Sequence, residues 1–129
     1  MKVVLFLILI GFSSQSFAQN DCEHFRVGKF QNIEDGVLRA TIVRNDSIQV
    51  ERYGNKMIKL QITWLDDCSY QLTFLEGNQA FWDARPPNMP TEDLIVRITK
   101  IHGNSYTQES KFANQEDFTY ISEIEKIEQ

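Results

Sequence analysis

The residues able to do chemistry are few and widely spaced. His24 and His102 lie 78 positions apart, with no His-x-His and no Cys-x-x-Cys around them. A structural zinc site needs four clustered nitrogen or sulfur ligands, so no metal is expected. Asp66-Asp67 and Glu34-Asp35 could offer oxygens to calcium, but neither has the spacing of a calcium loop. They are expected as solvated acidic turns. There is no Gly-x-Ser-x-Gly, and neither histidine sits in a recognisable triad context. The six glycines are scattered singly, which excludes a glycine-rich phosphate cradle. Glycoside hydrolysis needs two carboxylates at a set separation, and none of the 18 acids can be singled out as a pair. No catalytic residue and no cofactor is assigned, and a non-enzymatic domain is expected.

The elements that surround these residues begin with a leader. Met1-Lys2 is followed by eight apolar residues, Val3 to Ile10, and then by Gly11-Phe12-Ser13-Ser14-Gln15-Ser16-Phe17-Ala18. One cation, a short apolar run and small residues at Ser16 and Ala18 are the parts of a secretory signal peptide. Cleavage is expected after Ala18. A membrane-spanning helix needs about 20 apolar residues, and this run ends near ten. Cys22 follows Gln19-Asn20-Asp21, which lack the small residues of a lipidation site. The expected organisation is a cleaved leader, 1–18, and one domain, 19–129. The expected location is the periplasm or the outside of a bacterial cell.

Export changes how the cysteines read. Cys22 and Cys68 are the chain's two cysteines, and an oxidising compartment favours a disulfide between them. A catalytic cysteine would need a positioned base, and nothing in the sequence supplies one.

The formal charge of the 129-residue chain is −5, and its pI is near 5.0. Arg39, Arg44, Arg52, Lys56 and Lys59 lie near Tyr53, but acids interleave with them. A nucleic-acid binder needs a basic face, so nucleic acid is excluded as a partner. Hydrophobic content of 42% is too high for a disordered chain.

The dominant pattern is strand, turn, strand. Ile58, Leu60, Ile62 and Trp64 alternate with Lys59, Gln61 and Thr63. After the turn Leu65-Asp66-Asp67-Cys68, the residues Tyr70, Leu72 and Phe74 alternate with Gln71 and Thr73. Period-two alternation on both sides of a short acidic turn predicts an antiparallel hairpin. Ala40–Arg44 and Ser47–Arg52 predict a second hairpin, with Asn45-Asp46 accepting the left-handed backbone of its turn. Leu94–Ile101 and Ser105–Gln108 predict a third, around His102-Gly103-Asn104. Phe25–Phe30 predicts an opening strand, with Gly28 at a bulge or bend. The tail carries helical spacing at Ile121, Ile124 and Ile127 and strand spacing at Phe118 and Tyr120. A final strand is expected.

About eight short strands with short connections must bury one face and hide their edges. The expected fold is all-β: an antiparallel up-and-down meander, closed as a lipocalin-like barrel or rolled as a half-barrel. The inward residues are expected to include Phe25, Val27, Ile42, Ile48, Val50, Leu60, Ile62, Tyr70, Leu72, Val96 and Tyr106. One connection is long. Residues 76–93 hold all three prolines and the adjacent aromatics Phe81 and Trp82. Loops of this length are often functional, and the two rings are expected either to fold back and plug the open end of the barrel or to form a lid or mouth that contacts an apolar ligand or a partner. If a ligand is bound, Trp64 and Trp82 are the first expected contacts, followed by Tyr70, Phe74 and Phe81.

Two resemblances add to this reading. The blocks Cys22–Phe30, Ile42–Glu51 and Trp64–Leu72 resemble, in the same order, a family of small secreted bacterial proteins of unknown function. Some of its members carry a topoisomerase IV name, which an acidic chain of this length contradicts. The family implies no catalytic residues. More locally, Gly28-Lys29-Phe30 resembles the Gly-x-Trp of lipocalin-like barrels, with Phe in the Trp place. That resemblance implies a barrel whose apolar interior can hold a small ligand. Two roles are therefore expected of the chain. One is a binding module for a small apolar or amphipathic ligand. The other is a structural or protein-interaction module of the cell envelope with a filled core, in which Ile95, Ile101 and Phe81 would form the contact.

Overall fold

The computed structural model describes residues 21–128. The expected leader and its cleavage point lie outside the described residues. A 3-10 turn, Asp21–Phe25, precedes eight strands. They are β1 (Gly28–Glu34), β2 (Val37–Arg44), β3 (Ile48–Tyr53), β4 (Lys56–Asp66), β5 (Ser69–Gly77), β6 (Leu94–His102), β7 (Ser105–Phe112) and β8 (Tyr120–Glu128). One short helix, α1 (Gln79–Asp83), lies between β5 and β6. Each strand pairs antiparallel with its sequence neighbour, and β1 pairs with β8, so the meander closes into a barrel. Closure pairs both end strands of the meander with each other, which resolves most of its edge liability. The tail is a strand, and its pairing with β1 completes that closure.

Turn chemistry explains the tight connections. Asp35 and Gly36 both have positive φ, 52° and 76°. That is the backbone of a primed two-residue turn, which Asp-Gly adopts readily. The Asn45-Asp46 turn works differently from expectation, since neither residue has positive φ. Instead the Asn45 side-chain oxygen accepts from the amides of Ser47 (3.0 Å) and Ile48 (2.8 Å). The Asn45 amide in turn donates to the Ile48 carbonyl at 3.0 Å.

The opening strand starts later than expected. Phe25 lies in the 3-10 turn, fully buried, while Val27 is 45% exposed. Gly28, with φ of 139°, begins β1, and glycine accepts that conformation without a Cβ penalty. The β1–β8 register shifts immediately after it, between Lys29 and Phe30.

Antiparallel order places the β2–β3, β4–β5 and β6–β7 turns at one end, together with the 3-10 turn. That end is closed. Phe25, Phe30, Ile42, Tyr106 and Ile124 form its core. Lys126 Nζ donates to the His24 carbonyl at 2.6 Å and lies above the Phe30 ring. Cys22 and Cys68 form a disulfide with a Cα–Cα distance of 5.3 Å, which ties the 3-10 turn to the β4–β5 turn. A second core of Leu60, Ile62, Tyr70, Leu72 and Val96 lines the β4–β6 wall.

The other end is where the barrel departs from regularity. β5 pairs with β6 only over Ser69–Leu72, whereas it pairs with β4 as far as Gly77. The rest of β5 lacks a second strand partner, and the segment from α1 to Asp93 lies across the gap. Asn78 caps α1 by accepting from the Phe81 amide at 3.0 Å. Its own side-chain amide donates to the Asn55 carbonyl at 2.9 Å, fixing α1 to the β3–β4 turn.

Candidate functional site

The open half of the barrel holds two adjoining chambers. The larger, about 560 Å³, is walled by Ile58, Leu60, Leu72, Phe74 and Leu94 from the strands and by Phe81, Met89 and Pro90 from the connecting segment. The smaller, about 290 Å³, reaches down to Arg44, Gln49, Tyr70 and Gln108 and up to Asn32, Tyr120 and Ser122. Glu51, Leu72, Leu94 and Phe112 line both. Small-molecule sites are typically about 300–1,000 Å³ and mostly apolar, with a few placed polar groups.

Phe81 shapes the larger chamber. Its ring stacks on Phe74 at 5.4 Å and is 5% exposed. Gly77 makes room for it, because a Cβ there would collide with the Phe81 ring. Arg85 lies over the outer face of that ring, 5.0 Å from its centre, and donates to the Pro90 carbonyl at 3.0 Å.

A buried polar network forms the floor. Arg44 is 2% exposed. Its Nε donates to Gln49 Oε1 (2.8 Å) and its Nη1 to the Phe25 carbonyl (2.7 Å). Its Nη2 reaches the hydroxyls of Tyr70 (3.3 Å) and Tyr106 (3.2 Å). The guanidinium also covers the Phe30 ring, 4.6 Å from its centre. Burial opposes its charge, but the Tyr106 and Tyr70 oxygens outweigh that effect and hold its pKa above the ordinary value. The two hydroxyls bond each other at 2.9 Å, and Tyr70 donates onward to Gln108 Oε1 at 3.0 Å. Burial, then the neighbouring Tyr106, pushes the Tyr70 phenol well above its usual pKa, with Arg44 pulling the other way.

Glu51 stands apart from this floor. It receives one hydrogen bond, from Gln49 Nε2 to Oε1 at 2.7 Å. The residue is half-buried, and its remaining surface faces the chambers. Burial raises its carboxyl pKa, against the pull of Gln49 and Arg44.

The expected ligand contacts divide. Phe74 and Phe81 wall the larger chamber, and Tyr70 lies at the base of the smaller. Trp64 and Trp82 line neither. Trp64 packs on Tyr70 at 4.8 Å, with the Arg26 guanidinium over its ring. Trp82 is 46% exposed and meets Phe74 and Phe81 from outside, edge-on. Of the residues expected to form an external contact, Phe81 is buried, while Ile95 and Ile101 are half-buried in β6. Arg44, named with the cations near Tyr53, is the centre of the interior network.

The polar interior is the part that sequence reasoning missed. Ile48 and Val50 were expected inward. The observed register pairs Arg44 with Gln49, Val43 with Val50 and Ile42 with Glu51. Cross-strand partners share a face, so Ile42 and Arg44 carry Gln49 and Glu51 inward. Val43 is correspondingly 49% exposed. The available signal was Arg44 itself, two positions from the inward Ile42 on one strand.

The fold and site together define a class: a closed eight-stranded meander barrel, consistent with lipocalin-like architecture, with an amphipathic cavity at one end. Comparison with protein-family models, with curated proteins and with solved structures finds no match. Among the described residues, no group of three or more His, Cys, Asp or Glu side chains is placed to hold a metal ion. No helix among them is long and apolar enough to cross a membrane.

Proposed function

We propose that this chain is an exported, non-enzymatic binding domain that takes one small amphipathic molecule into the open half of its barrel. The larger chamber carries the reading, because its aliphatic and aromatic wall encloses about 560 Å³. A barrel of eight strands is either just filled by side chains or holds one small ligand. The presence of this chamber supports the second role over a filled envelope module. The Cys22–Cys68 disulfide and the leader-like residues 1–18 support export.

Titration with N-phenyl-1-naphthylamine, a probe that brightens in apolar surroundings, tests the reading. A saturable 1:1 enhancement, reversed by decanol, is expected. Leu94→Trp, which places a large ring at the junction of the two chambers, should abolish the enhancement while the circular dichroism spectrum keeps its β form. An enhancement that never saturates, or that survives Leu94→Trp unchanged, would count against the proposal.

A further inference from the structure

Resting on that binding reading, we infer that the cavity selects an amphiphile with a cationic, hydrogen-bond-donating head, such as an alkyl ammonium, and places that head at Glu51. The position of Glu51 is unusual for an acid. Its ladder neighbours are Ile42 on β2 and Ile58 on β4, both on the interior face. A carboxylate among apolar neighbours inside a barrel is costly unless it is paired. Yet Glu51 forms no ion pair among the described residues, and there only Gln49 donates to it, at Oε1. The residue lines both chambers.

The nearest cation does not remove this opportunity. Each of the three Arg44 nitrogens is already engaged, with Gln49, with the Phe25 carbonyl and with the two tyrosine hydroxyls. Arg44 is thus consumed by the floor and offers little to an incoming anion. It reaches Glu51 only through Gln49, which donates one side-chain bond and accepts the other.

A buried acceptor also lies beside the smaller chamber. Asn32 lines the smaller chamber, and its side-chain carbonyl oxygen is buried with no hydrogen-bond partner. A buried acceptor left without a donor costs about 1–3 kcal/mol. The remaining charges around the chambers do not reverse the sign. Glu34 and Glu92 lie at the rim, while Arg85, which also lines the larger chamber, is held against the Phe81 ring and the Pro90 carbonyl and keeps a buried Nε without a partner. The apolar tail of such a ligand would fill the larger chamber, between Phe74, Leu94 and Met89.

Calorimetric titration with decylammonium, decanol and decanoate tests this inference. The three share one chain length, and each is kept below its aggregation concentration. A salt concentration of about 0.15 M shortens the range of surface attraction to about 8 Å. Decylammonium is expected to bind at least about tenfold tighter than decanoate, the ratio for one charge-assisted hydrogen bond. Glu51→Gln should remove most of that preference. Decanoate binding as well as decylammonium would overturn the inference, as would an unchanged preference in Glu51→Gln. In either case decanol binding would leave the cavity reading standing. Binding by none of the three would defeat both. The wild-type ligand series decides the question even if the variant fails to fold.

Discussion

Arg44→Met is expected to destabilise the barrel by about 3–4 kcal/mol and to lower Tm by about 15 °C or more. Methionine keeps an apolar stem over Phe30 but supplies no donors. Removal strands the Gln49 side-chain oxygen and the Phe25 carbonyl, and takes a donor from each of two tyrosine hydroxyls. Breaking one partner out of a buried charged network costs more than never having built it, because the remaining polar groups stay dehydrated. Glu51 would also lose the lowering pull of Arg44 on its carboxyl pKa. Arg44→Lys should recover only part of the loss, because a single ammonium cannot span four acceptors around a planar fork. Thermal and urea melts of the two variants against wild type check this. An Arg44→Met protein within about 1 kcal/mol of wild type would show that the network does not hold the floor together.

Removing the disulfide should produce an effect of similar size by another route. The Cys22→Ser, Cys68→Ser double variant frees a loop defined by a sequence separation of 46. Chain-entropy reasoning gives a loss of about 4 kcal/mol, less any strain in the native bond. The folded state would change too. Cys22 and Phe25 sit in the same short 3-10 turn, which has little hydrogen bonding of its own. Without the bond, that turn is held to the closed end through the Arg44 and Lys126 bonds to its carbonyls, and its loosening would draw Phe25 away from Tyr106, where the rings now meet at 4.9 Å. A large Tm drop is expected for the double variant, and a comparable drop for wild type in reductant. Native protein should resist alkylation until reduced. Two thiols alkylated without reductant would contradict the bond.

The two effects bear on what the amino-acid sequence could reveal. The hairpin over residues 57–75 was legible because both strands keep strict alternation around an acidic turn. The meander and its closure followed from counting such strands and asking what becomes of their edges. The disulfide was legible because a chain expected to be exported, with two cysteines, has one possible pairing. The inward face of β3 was not. There, Ile48 and Val50 alternate with Gln49 and Glu51, and hydrophobicity favours the wrong face. A shift of one residue in register exchanges the two faces, and the Asn45 side chain sets the register through its bonds to Ser47 and Ile48. A local turn thus overrides the apolar pattern and turns a carboxylate toward the interior.

The connecting segment shows the opposite case. Its length and its Phe81-Trp82 pair marked it as unusual, but the sequence did not distinguish the two rings. The difference arises from Gly77 and from the early end of β5–β6 pairing at Leu72. Together they leave a slot beside Phe74 that admits one ring. Phe81 enters it and becomes cavity wall, while Trp82 lies against its outer edge.

The most direct test of a ligand-holding barrel is contact between ligand and wall. With methyl-labelled protein and saturating decanol, intermolecular NOEs should connect the alkyl chain to the methyls of Ile58, Leu60, Leu72 and Leu94. The outward methyls of Val37, Val43 and Ile127 should show none. NOEs confined to those outward methyls, or absent at saturation, would contradict the account.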